Sequence, residues 1–195
     1  MKKDYINNIE GAERRFFNTE VRMDEESRKV TGYAAVFEKE SNDLGGFVEV
    51  IERGAFDDVL EDDAMALFNH DSNFVLARNN RTLKLSVDKV GLRYEFDSPN
   101  TTAGNDLLEN LRLGNIDTSS FAFQIDKDGD SWEKRGDIQL RTIKKFKRLF
   151  DVSPVTYAAY PDTSVALRSM PNNNNSQIVQ MRHRLIKIKN KIKIG

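Results

Sequence analysis

The chain has 195 residues, room for one domain with a sizeable core, and 38% hydrophobic with 31% charged residues is the balance of a globular fold. It has no cysteine, which excludes disulfides, thiolate metal sites and a cysteine nucleophile. The formal net charge of -1 argues against a nucleic-acid binder, and neither a membrane-length apolar run nor the apolar core of a signal peptide follows Met1-Lys2-Lys3-Asp4.

Residues 1–20 are polar and weakly patterned, and read as a mobile arm. Lys29 to Phe37 is rich in β-formers and predicts a buried strand. Ser41 to Gly46 reads as a loop, and Phe47 to Ile51 as the next strand. Phe56, Val59 and Leu60 stand at helical spacing, so a short helix is expected over 54–60. Ala64 to Asn69 is a short apolar strand running into His70-Asp71. Two alternating segments, 82–87 and 92–97, flank Asp88 to Gly91 and predict a hairpin. Leu107, Leu108 and Leu111 mark the clearest helix, with Thr101 or Thr102 at its start and Gly114 after its end.

Ile116 to Ile125 then reads as a strand. Asp126 to Ser131 holds several acids, but Gly129 is fourth and Glu133 eighth, whereas a calcium loop wants glycine sixth and glutamate twelfth; a hairpin turn is the simpler reading. Strand material continues over 132–149, and 150–156 is the last strand, with Pro154 at an edge or strand end. Pro171 and four asparagines, 172–175, make a linker. From Ser176 onward there are six Lys or Arg and no acid. Many short strands with few helices predict a mainly β fold with packed helices (α+β): a closed or nearly closed β-barrel with helices outside.

Hydrolysis by a nucleophile here requires Ser, Thr, Lys or a carboxylate. Strand side chains alternate, so Ser119, Phe121 and Phe123 share one face of their strand and Ser120, Ala122 and Gln124 the other. The phenylalanines belong in the core. Ser120 then stands on a face kept small by Ala122, open to a substrate backbone. A serine hydroxyl needs a base, and imidazole titrates near neutrality. Only His70 and His183 are available. By residue type alone the simpler reading is a strand serine, a surface histidine and a hydrogen-bonded aspartate.

Five blocks change that balance. Gly32 to Phe37, Phe47 to Asp57, Phe68-Asn69-His70-Asp71 with Val75 to Arg78, Gly114 to Phe123 and Asp151 to Pro161 together resemble, in order, the tailed-phage prohead (procapsid) maturation protease family, HK97-type. The chain departs from its pattern at Ala77, where glycine is common, and at Asp151, where glutamate is commoner.

The resemblance implies a serine endopeptidase with a herpesvirus-assemblin type of β-barrel. It implies Ser120 as nucleophile, six residues after Gly114, His70 as base and Asp151 as third member; His183 is the rival for that third place. Oxyanion donors stay open between backbone N–H groups and an arginine such as Arg141. Neither cofactor nor metal is expected. The resemblance further implies action on the capsid protein, its scaffold segment and the protease itself, inside the procapsid in the host bacterial cytoplasm. The protease domain is expected over 21–168, with 169–195 a linker and basic tail removable by self-cleavage. Homo-oligomerisation stays open, as does the alternative of a non-catalytic assembly protein. No membrane is implied, and nucleic acid is disfavoured because the tail lacks aromatic stacking residues.

Overall fold

The computed structural model describes residues 6, 9–17, 19, 21–24 and 26–156. His183 and the expected linker and tail lie outside the described residues. The strands in chain order begin with β1 (Ala12–Phe17), β2 (Arg22–Met23), β3 (Lys29–Val36), β4 (Phe47–Ile51), β5 (Met65–Phe68) and β6 (Asp71–Arg78). They continue with β7 (Leu83–Val87) and β8 (Gly91–Asp97), and after the helix α1 (Thr102–Arg112) with β9 (Thr118–Ile125), β10 (Asp130–Arg135), β11 (Ile138–Ile143) and β12 (Phe146–Val155). Among the described residues no helix is long and apolar enough to cross a membrane.

The strands form three sheets, ordered β1-β9-β12-β5-β6, β10-β11-β4 and β2-β3-β8-β7. The expected closed barrel with packed helices is therefore corrected. Closure needs the outermost strands of a sheet to hydrogen-bond each other. Here β1 and β6, β10 and β4, and β2 and β7 remain edges, and one helix is present among the described residues. The mainly β character holds; the barrel and the plural helices do not.

The helix expected over 54–60 is also corrected. Its bonds reach back three residues rather than four, from Asp57 N to the Gly54 carbonyl and from Val59 N to the Phe56 carbonyl, so the segment is a chain of turns. Gly54 enters at φ +87°, off the helical region, while Phe56 and Val59 are still buried in the core. The stretch read as an arm supplies β1, antiparallel to β9. Its charges point to ionic partners rather than to water, which is why apolar periodicity does not reveal it.

Pattern and structure agree at the capped helix and at the β7–β8 hairpin, whereas β6 (Asp71–Arg78) has no counterpart in the sequence reading and the last strand begins earlier than expected, at Phe146. Thr101 caps α1 by accepting from Gly104 N, and Leu107 packs into the core. Asp88 closes the β7–β8 turn by accepting from Val90 N and Gly91 N. Gly91 is required sterically, since a Cβ there would lie 1.9 Å from the Ala35 carbonyl oxygen. The core is aromatic: Phe56 stacks on Phe146 at 4.3 Å, and Phe121 on Phe123 at 4.8 Å. Those two phenylalanines anchor β9 and set its other face, that of Ser120, towards β12 and the β5–β6 turn.

Candidate active site

β12 runs beside β9 with Ser153 opposite Ser120 and Asp151 opposite Ala122. Asp151, Ser153 and Ser120 thus share a face of the sheet. β5 lies on the far side of β12 and turns back into β6 through Asn69 and His70. Phe68 pairs with Asp71, and both intervening residues have positive φ, +56° and +58°, the signature of a two-residue hairpin turn with left-handed backbone. A histidine adopts that conformation only when its surroundings hold it there. Asn69 supplies the hold: its N–H donates to the Pro154 carbonyl at 3.1 Å and its Oδ1 accepts from Thr156 N at 2.9 Å. Pro154 sits near the end of an interior strand, and its carbonyl fastens the histidine turn.

The result is a linear relay. Asp151 Oδ1 lies 2.6 Å from His70 Nδ1, and His70 Nε2 lies 2.6 Å from Ser120 Oγ. All three side chains are buried, Asp151 completely. Ser153 donates its hydroxyl to the same Asp151 Oδ1 at 2.7 Å. A carboxylate on Nδ1 places the imidazole hydrogen there, leaving the Nε2 lone pair to receive the serine proton. Ser120 Oγ has a second acceptor, the Arg15 carbonyl of β1, at 3.0 Å. One hydroxyl hydrogen cannot serve both, so β1 competes with the imidazole for it.

The remaining expectations fall apart from this relay. Ser119 Oγ bonds Tyr94 Oη at 2.8 Å on the opposite face, in the core. Asp71, next to the histidine, accepts from Asn73 N at 2.8 Å. Arg141 is not aimed at the serine: Nη1 and Nη2 bond Glu13 at 2.9 and 3.0 Å, and Nε bonds Asp130 at 2.6 Å. The turn expected over 126–131 closes before β10 begins at Asp130, with Asp128 at φ +62°, and among the described residues no group of three or more His, Cys, Asp or Glu side chains could hold a metal ion.

Three contributions have no forerunner in the sequence reading: Asn69, Ser153 and the β1 strand. Asparagine before histidine, between two strands, was a usable turn signal, because asparagine tolerates left-handed backbone better than most residues. Beside the relay lies a buried ionic cluster. Arg15 bonds Glu13 at 2.6 Å and Glu49 at 2.5 Å, and Arg141 stands 3.5 Å from Glu49. Burial works against the charges of Glu13, Arg15 and Arg141, but their oppositely charged neighbours outweigh it. Arg15 and Arg141 hold the Glu13 carboxyl below the usual carboxylate range, and the carboxylates keep both guanidiniums more firmly protonated.

A family profile described as caudovirus prohead serine protease matches residues 17–177. No curated protein matches the chain. A solved structure, the capsid assembly protease of bacteriophage T4, is 11% identical over 73% of this chain and 98% of that one, with a TM-score of 0.42.

Proposed function

The chain belongs to the caudovirus prohead serine protease family and is a serine peptidase; on that premise we propose that Ser120 is its nucleophile, His70 its general base and Asp151 the carboxylate that orients and charges-balances the base. The observation that supports this assignment is the unbroken series of short contacts, Ser120 to His70 to Asp151, each 2.6 Å. In the proposed reaction His70 Nε2 takes the Ser120 proton as Oγ attacks a peptide carbonyl. The imidazolium is stabilised by Asp151 and returns the proton to the leaving amine. Water then attacks the acyl-enzyme, His70 again taking the proton, and Ser120 is regenerated. His183 is not needed in this scheme, since Asp151 already occupies His70 Nδ1.

The substrates in this reading are the phage capsid protein, its scaffold segment and the protease's own chain, met inside the procapsid. The basic segment 169–195 is then a candidate for self-removal, its six cations suited to an acidic scaffold surface. The test is intact mass over time for wild type, Ser120→Ala and Ser119→Ala, each with the cognate capsid protein. Cleavage in wild type and Ser119→Ala but not in Ser120→Ala is the expected result. Unchanged masses in all three folded proteins overturn the assignment and favour a non-catalytic assembly role.

A further inference from the structure

β9 carries Ser120 and is bounded on one side by β12; among the described residues its other side is covered by β1 alone. β1 is seated there as an extended antiparallel strand, with Phe16 opposite Ser120 and Arg15 opposite Phe121. An edge strand bearing a nucleophile is where an extended peptide would add by backbone hydrogen bonding. The Arg15 carbonyl oxygen accepts from Ser120 Oγ at 3.0 Å, so the main chain of β1 passes within bonding distance of the nucleophile. In this pose the hydroxyl donates to the carbonyl oxygen and does not address its carbon, the arrangement of a strand held but not attacked.

Alternate side chains of β1 enter a seat of opposite charge. Arg15 meets Glu49 at 2.5 Å, and its guanidinium lies 5.7 Å from the Phe123 ring centre. Two residues earlier, Glu13 meets Arg141 through two bonds, at 2.9 and 3.0 Å. The seat also keeps the same net charge with and without its occupant. Lifting β1 away removes one acid and one base, and leaves Arg141 beside Glu49 at 3.5 Å and Asp130 at 2.6 Å. No single buried charge is stranded, which is the condition for a strand in a buried ionic site to be exchangeable. The family profile begins at residue 17, so β1 lies ahead of the matched region except for its last residue.

We infer that the seat of β1 on β9 is the substrate groove, read by charge: it takes an extended segment with arginine at the residue whose carbonyl is attacked, its side chain against Glu49, and an acid two residues earlier against Arg141. This rests on Ser120 being the nucleophile. β1 is the resting occupant, and a substrate strand of the same acid-x-arginine pattern replaces it. In the reaction a bond forms from Ser120 Oγ to the arginine carbonyl carbon and the bond from that carbon to the next nitrogen breaks. The serine proton passes through His70 to that nitrogen, and water releases the arginine carboxylate.

The test uses the full chain. It has no cysteine, so Ala12→Cys with Gln124→Cys, facing positions on β1 and β9, forms a lone cross-strand disulfide that holds β1 in place when oxidised and frees it when reduced. Binding of a fluorescent peptide of residues 10–19 is followed by anisotropy in a Ser120→Ala background. Cleavage of the same peptide is followed with Ser120 present. Binding at least tenfold tighter in the reduced protein, lost at least tenfold when the peptide carries Glu in place of Arg15 or Lys in place of Glu13, is the expected result. Equal binding in both redox states, or indifference to the peptide's charges, overturns the groove. Binding that follows redox state and charge while Ser120 never cleaves leaves the groove standing and removes the nucleophile assignment. Ser120-dependent cleavage that ignores the disulfide does the reverse.

Discussion

Asp151→Asn isolates charge from geometry in the proposed relay. The hydrogen bonds to Asp151 from His70 Nδ1 at 2.6 Å and from Ser153 Oγ at 2.7 Å land on the same oxygen, Oδ1. An asparagine carbonyl can take that oxygen's place and keep both donors, so the imidazole hydrogen stays on Nδ1 and the ring stays aimed at Ser120. What disappears is the negative charge facing the imidazolium formed during attack. For unit charges separated by about 4 Å at an effective dielectric of about 20, that attraction is roughly 4 kcal/mol. At about 1.4 kcal/mol per tenfold, kcat should fall on the order of a thousandfold. Asp151 is completely buried, so bulk solvent does not screen the pair. The assay is single-turnover cleavage of capsid protein, with the thermal melt of the variant checked against wild type. A folded Asp151→Asn protein within threefold of wild type, while Ser120→Ala is inactive, would refute the role given to Asp151. An amide seated the other way, with its NH2 towards Nδ1, forces the hydrogen to Nε2 and gives a larger loss, so rotation cannot rescue activity.

Gly91→Ala should destabilise the fold by about 3 kcal/mol, as overpacking does, because its Cβ would meet the Ala35 backbone at 1.9 Å and no side chain can yield; the shift in urea midpoint measures it. The ionic cluster makes an acid-side prediction. Glu13 has a folded-state pKa held below its ordinary 4.5 by Arg15 and Arg141 against the opposing effect of burial. Its contribution is therefore fully present above pH 4.5 and lost as pH falls through the lower folded value. Urea midpoints from pH 7 to 3 should show this loss in wild type and less of it in Glu13→Gln, and identical acid limbs would contradict it.

Much of the site is local and was legible in the sequence. Phe121 and Phe123 at alternate positions turn Ser120 to the opposite face of its strand, and the pleat makes that choice before any tertiary contact exists. The hairpin at Asp88 to Gly91 and the capped helix after Thr101 are equally matters of neighbouring residues. The turns over 54–60 were not legible, because Phe56, Val59 and Leu60 have helical spacing whether or not the backbone bonds close over four residues. Nor was β1, whose buried Glu13 and Arg15 look solvent-facing until Glu49 and Arg141 come from distant strands to neutralise them.

Length, absence of cysteine, strand periodicity and five ordered blocks are properties of the chain itself, and the family resemblance those blocks carry points to a serine peptidase and nominates Ser120 and His70 for the proposed roles. Three things depended on the assembled sheets. Asp151 reaches His70 only because β12 lies between β9 and β5, a strand order that no local pattern encodes. The barrel fails to close because that depends on hydrogen bonds between sheet edges, contacts far apart in sequence. And the Arg15 carbonyl reaches the Ser120 hydroxyl across 105 residues, a meeting of main chain and side chain set wholly by the register of β1 on β9.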